Sequence, residues 1–315
     1  VLSCTHNRHT YEQDGASEQV AGLCAGVLEH GMHSRLAPNV PVAIDNCGMG
    51  GDGIVTANVS TIAALIAASA GITMAKHGSP ANADAGRHGS SDFVERLGIP
   101  TMPDIARLED TIEETHFGYS EALDTRFKTI HRVTHEFARL PHANDIIGPL
   151  TNPLQRDIHT KKIIGINELL DPLVVANACS MLNMRGATAF EHVLCIRGFA
   201  DRSKTIGMDE LSICIGGTDV AEYRQGNVHA YHLTAEDFGI MPVPASEEIL
   251  RGGGKELAAN PVVQMICANA ALIFQLDDSS TSLRDGYEQS LAILLSGEAR
   301  RTARSVRESL LATQH

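Results

Sequence analysis

Apolar positions along the chain fall into two rhythms. Val20, Leu23, Val27 and Leu28 recur at helical spacing within residues 17–28, with Glu18 early, which predicts an amphipathic helix. Residues 62–70 are almost entirely Ala, Ile and Leu, the pattern of a buried helix. Further helices are predicted from residue 92 to 97, over 170–182, and through most of 260–313. Residues 105–139 have helical spacing and many charges, but Phe117-Gly118-Tyr119 interrupts them, so two or three helices fit better than one. Short apolar runs at 40–44, 72–75, 162–166, 192–196 and 228–233 read as strands. The run 146–153 holds Gly148, Pro149 and Pro153 and is not expected to form a regular helix.

Strands alternating with helices imply an α/β fold with a central, mostly parallel sheet. The helix-only stretches predict a small all-helical subdomain built from residues 1–38 and about 104–140. The larger α/β domain would then hold residues 39–103 and about 141–315.

Composition narrows the partners. The 315 residues are 43% hydrophobic and 20% charged, as in an ordinary globular protein. With 25 basic against 38 acidic residues the formal net charge is −13, which argues against a nucleic-acid-binding surface and a basic membrane-docking face. A local basic pocket for an anion is still compatible with it. The longest apolar run, 62–72, is too short and too rich in Ala and Ser to span a bilayer. Seven scattered cysteines, none in a CxxC pair, suit reduced thiols in a cytoplasmic protein better than a disulfide framework or a zinc site. The chain begins at Val1, so an N-terminal piece is expected to precede it.

The chemistry concentrates after the strand at 40–44. Gly48, Gly50, Gly51 and Gly53 lie within six positions, and Thr56, Asn58, Ser60 and Thr61 follow at the predicted helix start. Such a loop lets the backbone approach a ligand closely, and the helix N-terminus offers free N–H groups and a partial positive charge. The combination reads as a phosphate or diphosphate cradle. It is not a Walker A loop, and its spacing is not that of a dinucleotide site. Taken alone, the glycines fit a plain strand-to-helix turn equally well. Lys76-His77-Gly78 ends a predicted strand, where open α/β sheets place ligands, and a lysine there can meet a phosphate as a point charge. Gly89-Ser90-Ser91-Asp92 forms a second candidate helix N-terminus. Asp209-Glu210 supplies hard oxygen ligands suited to Mg²⁺, although in isolation such a pair is an ordinary solvated helix start.

In their order along the chain these motifs resemble the anthranilate phosphoribosyltransferase family, which shares its fold with the pyrimidine nucleoside phosphorylases. The resemblance rests on 48–53 with 56–61, Lys76-His77-Gly78, Gly89-Ser90-Ser91-Asp92, Gly148-Pro149-Leu150-Thr151-Asn152-Pro153 and Gly207-Met208-Asp209-Glu210-Leu211-Ser212. Thr234 to Gly239, Leu250-Arg251-Gly252-Gly253 and Asn269-Ala270-Ala271 extend it, so it covers the chain from about Ala16 onward; the first helices of the small domain have no counterpart.

The resemblance implies transfer of ribose 5-phosphate from phosphoribosyl pyrophosphate to an aromatic amine, with anthranilate (tryptophan biosynthesis) the leading acceptor. By similarity Gly48, Gly51, Asp52, Thr56, Asn58, Ser60, Thr61, Lys76 and Ser90 would hold the donor. Ser60, Asp209 and Glu210 would hold two Mg²⁺ ions. His77, Gly78, Ser79, His135, Gly148 and Pro149 would line the acceptor pocket. No Ser/His/Asp set or carboxylate dyad stands out, and no catalytic acid or base is assigned; positioning would supply most of the rate. A homodimer through the small domain is expected.

Several positions depart from the family pattern. Met49 replaces the threonine of the glycine loop, Ser79 replaces an asparagine of the acceptor pocket, and the loop after Ser79 is longer. His135 falls where the family has its acceptor-binding arginine, with Arg132 and Arg139 out of register, and Arg197 stands in place of a histidine. The donor half is therefore kept and the acceptor half altered. A nucleoside phosphorylase-like enzyme and a non-catalytic ligand- or nucleic-acid-binding paralogue are the other readings.

Overall fold

The computed structural model describes residues 15–30, 36–50, 56–80, 89–121, 143–151, 154, 157–167, 170–244, 246, 249 and 256–312. Gly51, Asp52, His135, Arg132, Arg139, most of the loop after Ser79 and the 250–253 motif lie outside them.

The chain runs α1 (Ala16–His30), β1 (Val42–Gly48), α2 (Val59–Ser69), β2 (Met74–Gly78), α3 (Ser90–Arg96), α4 (Ile105–Thr115) and β3 (Phe117–Glu121). It continues through α5 (Ala143–Leu150), β4 (His159–Gly165), α6 (Pro172–Met184), β5 (Phe190–Phe199), β6 (Gly207–Met208), β7 (Thr218–Arg224) and β8 (Asn227–Leu233). A 3₁₀ turn (Ala235–Phe238) leads to α7 (Pro261–Asp277), α8 (Leu283–Leu295) and α9 (Glu298–Leu311).

The described strands form one sheet in the order β3-β2-β1-β4-β5-β7-β8, with β6 on the end of β5. From β3 to β5 all pairings are parallel; β6, β7 and β8 join antiparallel. The chain steps outward from β1 to β3 and then returns to the other side of β1 as β4. Between β1 and β4 the direction of winding reverses, and a crevice opens beyond the carboxyl ends of the strands.

Successive strand residues face opposite sides. Ile44, Met74, Ile163 and Leu194 enter a core shared with α2 and α7. Ile164, Val193 and Cys195 enter a second core with α1, α5 and α6, whereas Ala43 and Ala75 pack with Leu108 and Ile112 of α4. Helix α2 is buried on nearly every side because it is enclosed by the sheet, α7 and α9. Its alanines permit that close approach, and the Ser69 hydroxyl ties it to Thr302 of α9 at 2.8 Å. No described helix is long and apolar enough to cross a membrane.

Two expectations need correction. Residues 117–121 are not a break between helices but a strand, β3, paired along its length with β2. Gly118 fits there because a side chain would strike Ile112 and Leu108 of the preceding helix. Gly148 and Pro149 do lie in a helix, α5. Pro149 sits in its last turn, where the missing N–H removes one intrahelical bond, and Thr151 N still reaches the Ile147 carbonyl at 2.9 Å.

Candidate active site

Alternation along β1 sends Asn46 to the α2 side of the sheet and Asp45 to the other, and each organises one half of the site. On the α2 side the Asn46 amide donates to the Ser60 carbonyl at 2.8 Å, fixing the first turn of the helix. The Lys76 ammonium, 1% exposed, donates to the Asn46 carbonyl at 2.6 Å and to Asn46 Oδ1 at 3.2 Å, and lies 3.4 Å from Ser60 Oγ. Lys76-His77-Gly78 ends β2 as its sequence predicts, and the Lys76 ammonium is directed at Ser60. Burial pulls its pKa down, opposed by Cys47, Asp45 and Glu210.

The Asp209-Glu210 turn crosses the carboxyl ends of β1 and β4. A Cβ at Gly48 would collide with the Asp209 carboxylate, and one at Gly165 with the Asp209 main-chain oxygen. Glycine at these positions is what lets the carboxylate pair lie against the strand ends. Gly50, at φ +69°, donates its N–H to Asp209 Oδ2 at 2.6 Å. Asn269 of α7 clamps the following residue, accepting from Leu211 N and donating to Leu211 O, both at 3.1 Å. The Glu210 carboxylate accepts the Ser60 N–H, and its Oε2 is buried without a hydrogen-bond partner. Desolvation first, and the neighbouring Asp209 second, raise the Glu210 pKa well above the ordinary carboxylate range. Asn46, Cys47, Gly48, Ser60, Gly165, Asp209, Glu210 and Asn269 line one recess at the crevice between β1 and β4.

Two adjacent carboxylates, one with an unpartnered oxygen, and a nearby serine hydroxyl form a hard-oxygen donor set. They fit a divalent cation that takes its remaining ligands from phosphate and water. The Thr61 hydroxyl is also buried without a partner. Asn58 is the N-cap of α2 with no side-chain capping bond, and Thr56 is half-buried just before it.

On the opposite side of the sheet Asp45, His77 and Lys162 form a buried charge cluster. Asp45 Oδ2 is paired with both His77 Nδ1, at 2.6 Å, and Lys162 Nζ. His77 Nε2 meets the Gly148 carbonyl at 2.8 Å, and Lys162 Nζ donates to the Thr151 carbonyl at 3.1 Å. Burial alone would lower the imidazole pKa; Asp45 outweighs it and holds the ring at about 9. The Asp45 pKa is held far below the usual range, since its two cationic neighbours outweigh its desolvation.

The structure thus brings Gly48, Ser60, Asp209 and Glu210 into one recess with Lys76 beneath it, and joins His77 to Gly148. Ser90 lies apart from these contacts, sharing a hydrogen bond with the Tyr119 hydroxyl at 3.1 Å and filling the space left by Gly78. Ser79 accepts the Ser91 N–H through its carbonyl at 3.3 Å. Sequence reasoning gave no role to Asp45, Asn46, Lys162, Gly165 or Asn269. Asp45 and Asn46 adjoin the glycine loop, and polar residues at the end of an apolar strand were the available signal. Lys162 opened an apolar run and gave none.

The crevice at the winding reversal and the carboxylate pair beside a helix N-terminus form a site suited to an anion and its counter-cation. The family described as "Glycosyl transferase family, a/b domain" matches residues 40–300. The anthranilate phosphoribosyltransferase of Symbiobacterium thermophilum is 34% identical over 290 residues, 88% of this chain and 77% of the relative. That of Anaeromyxobacter dehalogenans is 32% identical over 302 residues, covering 92% and 82%. Among solved structures, the anthranilate phosphoribosyltransferase of Thermus thermophilus superposes with a TM-score of 0.74 at 27% identity, covering 94% of this chain and 85% of that one. The chain belongs to the anthranilate phosphoribosyltransferase family.

Proposed function

We propose that the protein transfers the 5-phosphoribosyl group of phosphoribosyl pyrophosphate to the amino nitrogen of anthranilate, releasing diphosphate. The observation that carries this reading is the recess between β1 and β4, where the Asp209-Glu210 pair, with an unpartnered buried oxygen, faces Ser60 at the start of α2. Ser60, Asp209 and Glu210 would hold Mg²⁺. When bound, Mg²⁺ neutralises the charge that builds on the departing diphosphate.

The protein's own groups orient and desolvate the donor. The N-terminal end of the α2 dipole and the Lys76 ammonium near Ser60 favour an anion at this end of the recess. Breaking the bond from ribose C1 to the diphosphate oxygen leaves an oxocarbenium-like sugar, and the amine attacks C1 from the opposite face. The nitrogen, cationic after the attack, then gives up one proton to the released diphosphate or to water. The aromatic amine is already neutral at ordinary pH, so no general base is needed before it attacks, and holding the two reactants in line supplies most of the rate. Gly78, Ser79, Gly148 and Pro149 would form the acceptor side, and a homodimer is the assembly we expect from the family resemblance.

The test is the loss of anthranilate fluorescence on mixing the protein with phosphoribosyl pyrophosphate and Mg²⁺. Consumption that requires all three components supports the proposal. Mg²⁺-dependent consumption of the donor only with some other aromatic amine would overturn the acceptor while keeping the chemistry.

A further inference from the structure

The recess accounts for the donor, but the buried cluster on the other face of the sheet lies outside it. Asp45, His77 and Lys162 come from three adjacent strands, β1, β2 and β4, and all are at most 1% exposed. Burying three charged groups is costly unless each is paired and hydrogen-bonded. Here every one is. The His77 N–H of the main chain donates to Asp45 Oδ1 at 3.1 Å, and Asp45 Oδ2 faces both the imidazole and the ammonium. The two cations then use their remaining donors on the same short stretch of chain. His77 Nε2 takes the carbonyl of Gly148, and Lys162 Nζ takes that of Thr151. The Thr151 hydroxyl donates to the Gly148 carbonyl at 2.8 Å and closes the arrangement. The Gly148 carbonyl also takes the Thr151 N–H at 3.2 Å, and the Thr151 carbonyl lies just past the end of α5, so the His77 and Lys162 bonds fasten this closed turn to the sheet from outside.

We propose that His77 and Lys162, charge-balanced by Asp45, are positioning residues that latch the 148–151 turn in place as a wall of the acceptor pocket. This rests on the transferase reading above. It also reassigns His77: Nε2 is hydrogen-bonded to the Gly148 carbonyl, and Nδ1 lies against Asp45 as a charge pair without hydrogen-bond geometry, so the side chain acts on the acceptor through Gly148 and Pro149 rather than by touching it. The same reasoning separates two jobs within Lys76-His77: adjacent residues of one strand point to opposite faces, one to the donor side and one to the acceptor side.

Steady-state kinetics with both substrates and hydrogen–deuterium exchange on residues 143–151 test the latch in His77→Ala, His77→Gln and Lys162→Met. The Gln amide can place a donor near the position of Nε2, so it should restore much of what Ala loses. We expect His77→Ala to exchange faster across 143–151 and to lose on the order of 10²-fold in kcat/KM for the acceptor, the cost of a roughly ångström-scale misplacement. Calorimetric donor binding with Mg²⁺ should stay within about twofold of the parent, because the donor face is not touched. Unchanged exchange across 143–151 in both His77→Ala and Lys162→Met would overturn the latch whatever the activity. A raised acceptor KM without faster exchange would mean that the imidazole contacts the acceptor directly. If the parent protein transfers nothing to anthranilate, the transferase reading fails separately, and the exchange measurement still decides the latch.

Discussion

Asp45 carries two cations at once inside the sheet, and its removal exposes how the cluster is balanced. Asp45→Asn leaves His77 and Lys162 buried without their counter-charge, and we expect a loss of about 3–5 kcal/mol in urea-unfolding free energy. A surface-like loss below about 1 kcal/mol would mean that the cluster relaxes into solvent. The histidine makes a separate, pH-dependent contribution. Its pKa in the folded protein is raised to about 9 from an ordinary 6.5. The contribution is therefore fully present below about pH 6.5 and is lost as pH rises to and beyond about 9. Its size is on the order of 3 kcal/mol. Asp45 and Cys47 from β1 and Lys162 from β4 face the ring, and the Cys47 thiol, pulled below its usual pKa despite burial, titrates with the opposite sign. His77→Gln isolates the histidine: the fall in stability between about pH 6.5 and pH 9 should vanish in that variant. A slope that survives the substitution would assign it to another group.

At the scale of elements, the glycines at the strand ends set how close the carboxylate pair can come. Gly165→Ala drives a methyl group into the Asp209 main chain, so we expect the fold to persist while Mg²⁺-dependent donor binding weakens by at least about tenfold, roughly 1.4 kcal/mol. Binding at the parent level would show that the turn has slack. Legibility followed the same physics. α1, α2, α6 and α7 were readable because helical apolar spacing or an all-apolar run survives any tertiary context, and β1, β2, β4, β5 and β8 because apolar runs end in turn residues. β1 continues past Ile44 through Asp45, Asn46 and Cys47, where Asp45 finds partners on β2 and β4 and Asn46 finds one on α2, all distant in sequence. β3 was hidden by a glycine that serves helix packing, and β7 by a pattern that lacks alternation: Val220 and Ala221 are both buried because each face is covered by a different core. The helical α5 was hidden by Pro149, which a last turn tolerates.

In the whole molecule, the sheet reversal between β1 and β4 gathers groups from distant stretches of chain. Ser60, Asp209, Glu210 and Asn269 span more than 200 positions but meet within one recess. The glycine loop, the start of α2 and the Asp209-Glu210 pair stood out in the sequence because each is a contiguous motif. The buried cluster did not, since nothing local says that a lysine opening an apolar run will pair with an aspartate 117 positions away. The central claim is that this recess is an Mg²⁺-dependent site for phosphoribosyl pyrophosphate. Calorimetric titration of that donor into the parent protein and into the double variant Asp209→Asn/Glu210→Gln, each with and without Mg²⁺, tests it most directly. The expected result is donor binding that requires Mg²⁺ in the parent and is lost in a double variant with an unchanged circular-dichroism spectrum. Binding that is indifferent to Mg²⁺, or that the folded double variant retains in full, would contradict it.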